Sequence, residues 1–115
     1  EVIGHPARLP GNFKEAVISL DVCSLLPKKD MYVEFIYNLM LKRDFSQLMA
    51  GCASGTNVSH LNKTHVEGYE FVLPSENLLI KFNNFIQPLF SKQALIEDEN
   101  LILKEARDRL LADLI

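Results

Sequence analysis

The C-terminal stretch Ser75–Ile115, SENLLIKFNNFIQPLFSKQALIEDENLILKEARDRLLADLI, limits what this chain can become more than any other. Phe82, Leu89, Ile96, Leu103 and Leu110 recur every seven residues, and a companion column at the four-three offset holds Ile86, Gln93, Asn100, Arg107 and Leu114. A column that is apolar throughout beside one that is half polar is a coiled-coil seam, in which polar members such as Asn100 fix register. Pro74, Ser75 as N-cap and Glu76 in the positive first turn mark where the helix begins. About 40 residues at 1.5 Å each make a rod of roughly 60 Å, whereas the residues before it form a globule with a radius of gyration of only about 12 Å. The rod therefore projects, and its seam needs a partner. Pro88 falls within the run and predicts a kink, since it removes one backbone hydrogen bond. The competing expectation is a long amphipathic helix spent entirely on its own domain.

Upstream, the chain alternates between apolar and polar residues and is punctuated by turns. Glu1–Gly4 reads as the tail of a strand, which suggests a fragment, and a Pro- and Gly-containing loop, His5 to Asn12, follows. Ala16–Leu26 alternates, with Ile18, Leu20 and Val22 on one face and Ser19, Asp21 and Cys23 on the other, until Pro27 stops it. This predicts a half-buried strand with Cys23 as a small core residue. Asp30 then caps a helix with Tyr32, Phe35, Ile36, Leu39 and Met40 on one face, closed by Lys42 and Arg43. A second short helix turns Phe45, Leu48 and Met49 inward and ends at Gly51, Asn62 caps one further turn before Gly68, and Tyr69–Leu73 is a short strand. The expected fold class is α+β: a small globule over residues 1–74 and a helical coiled-coil arm over 75–115.

Several functions are disfavoured by composition and spacing. No run is long and apolar enough to span a bilayer, and the N-terminus lacks the charged-then-apolar layout of a signal peptide, so a cytoplasmic protein is expected. Two cysteines, Cys23 and Cys52, make neither a disulfide framework nor a zinc cluster. His60 and His65 are five apart and fall on different faces of a helix, so no metal is expected. Cys52 with Ser54 and His60 has no elbow or oxyanion motif to frame a nucleophile, and no phosphate-binding glycine loop is present. Neither catalysis nor a cofactor is expected.

Nucleic-acid binding keeps one local signal. The net charge of −3 opposes indiscriminate binding to polyanions, yet Phe45–Val66 contains no acidic residue. That window offers Ser54, Thr56, Asn57, Ser59, His60, Asn62 and Lys63, hydrogen-bonding groups suited to phosphate oxygens and base edges.

Several stretches in order resemble a known family. Ser19-Leu20-Asp21 matches an "(S)xD" strand element, and Phe35-Ile36-Tyr37-Asn38-Leu39 matches a helix of "FLYxxL" type. Gly55-Thr56 with His60-Leu61-Asn62-Lys63 matches a "GxT…hLnk" loop, and Val72-Leu73-Pro74 the strand after it. Arg107-Asp108-Arg109-Leu110-Leu111 with Leu114-Ile115 matches the closing helix pattern. Together they resemble the distal part of a target-recognition domain, plus its conserved helix, from the DNA-specificity subunit of type I restriction-modification systems. The resemblance implies a non-catalytic protein in which two recognition domains, held apart by an antiparallel coiled coil, read the halves of a split double-stranded DNA target. It implies methyltransferase subunits docked on the helices and, through them, a restriction subunit. For this chain it implies DNA contact through Ser54–Lys63 and Arg8, and a spacer interface of Phe82, Ile86, Leu89, Ile96, Asn100, Leu103 and Leu110 facing a second recognition-domain helix or another copy. The rival expectation is a protein-interaction module that dimerises through its helix and does not bind DNA.

Overall fold

The structure is a computed structural model that describes residues 4–9, 17–19, 22–52 and 62–115. A single 3-10 turn, Asp30–Tyr32, leads into α1 (Val33–Met40), followed by α2 (Arg43–Cys52), α3 (Lys63–Glu67) and α4 (Glu76–Leu114). Among the described residues there is no strand, so the α+β expectation is corrected to an all-helical architecture.

The two expected strands fail for lack of a ladder. An alternating segment becomes a strand only when a neighbour satisfies its backbone. In Ala16–Leu26 the described residues have no such neighbour, and Ile18, Val22 and Cys23 are exposed, so Cys23 is not a core residue. Ala16, Leu20 and Asp21 lie outside the described residues, as do Glu1–Ile3 of the expected N-terminal strand tail. Gly4 has φ +72°, which is not a strand conformation. Tyr69–Leu73 keeps its alternation for another reason. Tyr69 meets Phe45 edge-on at 4.9 Å, Phe71 lies 5.8 Å from Phe35, and Val72, on the other side, is 90% exposed. The extended segment is an aromatic strap across α1 and α2.

The helical elements follow their local signals more closely. The Asn62 side chain accepts from the Thr64 N–H to start α3, which ends at Gly68, and Ser75 Oγ accepts from the Leu78 N–H to start α4. Phe45 and Met49 of α2 are buried, but Leu48 is half exposed and α2 runs through Gly51 to Cys52. Arg43 opens α2 rather than closing α1, and Asp30 begins the 3-10 turn rather than capping a helix. Gly4 sits against α2 where a Cβ would lie 2.9 Å from Met49 Cβ, so both its left-handed backbone and its lack of a side chain are used.

Its central position leaves α1 no exposed residue between Val33 and Met40. It packs on α4, on α2 and on the 3-10 turn. Such a helix must bury part of its polar face, and Glu34 is the residue that goes inside.

Candidate functional site

The arm is one helix of 39 residues, about 58 Å long, and Pro88 does not divide it. The Cα radius of gyration is 18.1 Å, against about 13 Å for a compact chain of this length.

Only the first part of α4 packs on the body. Leu79 is buried, Phe82, Asn83, Ile86 and Phe90 are partly buried, and every residue from Ser91 to Ile115 is exposed. Asn83 Nδ2 donates to the Met31 carbonyl at 3.0 Å, and Phe90 meets Tyr37 edge-on at 5.9 Å. These contacts form one helical stripe that faces α1.

A second stripe is free. Leu78, Phe85, Leu89, Ile96, Leu103, Leu110 and Leu114 are separated by seven, four, seven, seven, seven and four residues. At about 100° per residue they stay within about 60° of arc, rotated about 100° from the docked stripe. All are exposed, Phe85 at 71% and Leu103 at 65%. Leu95 and Ile102 widen the edge, whereas Glu97, Asp98, Lys104, Glu105 and Asp108 occupy the opposite side. An apolar edge of this length, left uncovered, marks a surface for association. Of the expected spacer residues, Leu89, Ile96, Asn100, Leu103 and Leu110 are exposed on the arm, while Phe82 and Ile86 are partly covered at its root. Sequence periodicity merged the two stripes. The heptad column runs through Phe82 and so passes over the exposed Leu78 and Phe85.

Of the expected DNA-contacting residues the structure describes Lys63 and Arg8. Lys63 is the first residue of α3 and pairs with Glu67 at 3.4 Å, a surface pair one helical turn apart. Ser54, Thr56, Asn57, Ser59 and His60 lie outside the described residues.

Arg8 is engaged with the body. Its Nη2 donates to Glu34 Oε1, and its guanidinium carbon stands 4.0 Å from the centre of the Phe90 ring and 5.6 Å from that of Tyr37. The Glu34 side chain is only 4% exposed, and among the described residues its other oxygen has no hydrogen-bond partner. A charge-assisted bond and a cation–π contact therefore tie the 4–9 loop to α1 and α4 at one point. Nothing in the sequence marks Glu34 as buried.

Among the described residues no group of acidic, histidine or cysteine side chains could hold a metal ion, and no helix is long and apolar enough to cross a membrane. Beside the root of α4, between it and α1, lies an apolar groove of about 370 Å³.

No family model matches the chain. Over 92 residues, 80% of its length, it is 27% identical to the protein named type I restriction enzyme MjaIX specificity subunit from Methanocaldococcus jannaschii. The aligned stretch is 20% of that protein, so the chain spans about a fifth of the relative it matches. No solved structure matches.

Proposed function

We propose that this chain is part of the DNA-specificity subunit of a type I restriction-modification system: residues 1–74 the distal portion of a target-recognition domain, residues 75–115 its spacer helix. Such a subunit works in the cytoplasm on double-stranded DNA. It catalyses nothing itself, directing methyltransferase subunits and, through them, a restriction subunit to a split target.

One observation carries this reading: α4 is anchored at its root, exposed from Ser91 onward, and bears an apolar edge along its length. That is the form a spacer between two reading heads requires, and the similarity to a specificity subunit supports it. A helix of about 58 Å spans about 17 base pairs at 3.4 Å each, which bounds how far apart the two half-targets lie.

The reading head uses the segment between α2 and α3. Ser54, Thr56, Asn57, Ser59 and His60 supply hydrogen bonds to phosphates and base edges, and Lys63 a phosphate contact. Glu34 takes one N–H of Arg8, which approaches DNA only through its remaining N–H groups while holding the N-terminal loop in place.

Affinity of the complete subunit for its own target duplex tests the proposal. Lys63→Ala is expected to weaken binding and to reduce the salt slope by about one, and Asn57→Ala to weaken binding at its base step. Unchanged affinity in both variants removes this segment from the interface. A protein-interaction module without DNA contact is favoured by the same apolar edge, and a complete protein with no affinity for any duplex would establish it instead.

A further inference from the structure

The contacts that seat α4 on the body fall unequally on the two sides of Pro88. Before it, Leu79 is buried, Phe82 and Ile86 are partly covered, and Asn83 Nδ2 donates to the Met31 carbonyl at 3.0 Å. Pro88 then offers the Asn84 carbonyl no N–H, so the helix bends more easily there than elsewhere. Beyond it, Phe90 is the one residue of α4 that is not exposed. Whatever fixes the course of the arm past Pro88 must therefore act on the Phe90 ring.

Two groups hold that ring. Tyr37 of α1 meets it edge-on at 5.9 Å, and the Arg8 guanidinium carbon stands 4.0 Å from its centre. Arg8 is itself anchored, since its Nη2 donates to Glu34 Oε1, one helical turn before Tyr37 on α1. A planar guanidinium donates from its edge to a carboxylate while its face lies on a ring, which the compact ammonium of lysine does not do. At the other end of the same loop, Gly4 sits against Met49 of α2. Residues 4–9 thus run as a strap from α2, the helix that ends just before the proposed reading segment, to the first turn of α4 beyond Pro88.

Leverage magnifies what happens at this contact. The part of α4 beyond Phe90 is about 36 Å long, so a bend of about 10° at Pro88 carries its end about 6 Å sideways, or about two base pairs of duplex.

We propose that Arg8 is a positioning residue: anchored on Glu34 and laid on Phe90 just beyond Pro88, it fixes the direction in which the arm leaves the body. On the DNA reading given above, on which this second part rests, it thereby narrows the range of gaps that the two half-targets can have.

The test is the spread of distances between spin labels at Gln47→Cys on α2 and Glu105→Cys on the arm, both exposed positions, in the complete protein with its native cysteines replaced by serine. Arg8→Lys keeps a cation beside Glu34 but loses the planar contact, and Phe90→Leu keeps an apolar side chain but loses the ring. Each is expected to broaden the spread by about 4 Å, and the two together no further, because both remove one contact. Leu79→Ala weakens the packing before Pro88 and leaves that contact alone, so it is expected to lower the melting temperature with the spread of the parent. An unchanged spread in Arg8→Lys and Phe90→Leu would overturn the proposal. Equal broadening in Leu79→Ala would overturn it too, by making the spread a measure of stability alone. Phe90→Leu is also expected to reduce, about tenfold, the preference for the target duplex over one whose gap is one base pair wider. A broadened spread with that preference intact would overturn the part in target spacing and leave the aim of the arm standing. A broadened spread in a protein that binds no duplex would uphold the aim and overturn the DNA reading.

Discussion

The Arg8 guanidinium lies 4.0 Å from the centre of the Phe90 ring, at the point where α4 leaves the body of the protein. Phe90 is the last residue of α4 that is not classed as exposed, so the clamp that fastens the N-terminal loop also fastens the root of the arm.

Breaking that clamp from its two ends should have unequal consequences. Arg8→Ala leaves the buried Glu34 carboxylate without its guanidinium partner, and is expected to cost about 3 kcal/mol. Glu34→Gln leaves Arg8 part-exposed and on Phe90, and is expected to cost about 1 kcal/mol. Urea unfolding of the two variants checks the order; a larger loss in Glu34→Gln would refute it.

Gly4→Ala tests the approach of the N-terminal loop to α2. The new Cβ meets Met49 Cβ at 2.9 Å in a backbone conformation that L-residues disfavour, and a loss of about 1–3 kcal/mol is expected. A melting temperature equal to that of the parent chain would show that the loop yields.

The two stripes of α4 should separate stability from association. Leu79→Ala removes a buried side chain and is expected to cost about 2–4 kcal/mol. Leu103→Lys, at a position 65% exposed, is expected to change stability by less than about 0.5 kcal/mol and to abolish helix pairing. Denaturation and sedimentation of both variants give the answer; pairing that survives Leu103→Lys would place the interface elsewhere.

Pro88 lies on the exposed side of α4, two residues before Phe90. Pro88→Ala restores a backbone donor inside the helix and is expected to stabilise it by up to about 3 kcal/mol. It should also redirect the arm relative to the body. Spin labels on the body and at position 110 would report that change, and an unaltered distance would show that Pro88 does not bend the helix.

What the sequence made legible follows from the range of each interaction. The caps at Ser75 and Asn62, the inward residues Phe45 and Met49, and the length of α4 depend on neighbours within a few positions, and they were readable. Strand pairing was not, because the alternation of Tyr69, Phe71 and Val72 is the same whether a sheet or two aromatic contacts sets it. Burial of Glu34 depends on three elements crowding α1 and on an arginine 26 residues away. The division of α4 into a docked stripe and a free one was hidden too. The seven-residue column passes through Phe82, which lies near the boundary between them, and only the position of α1 decides on which side of that boundary a residue falls. For the site, composition locates an acid-free segment from Phe45 to Val66, but not the prior engagement of Arg8.

The central claim is that α4 sets a distance. Deleting one heptad from its exposed part, residues 98–104, keeps the apolar edge in phase and shortens the rod by about 10.5 Å, equivalent to about three base pairs. Mapping methylated sites made by the complete enzyme with and without the deletion measures the gap between half-targets. The account predicts the same half-sites separated by a shorter gap, by up to about three base pairs; an active enzyme that methylates sites with the original gap would contradict it.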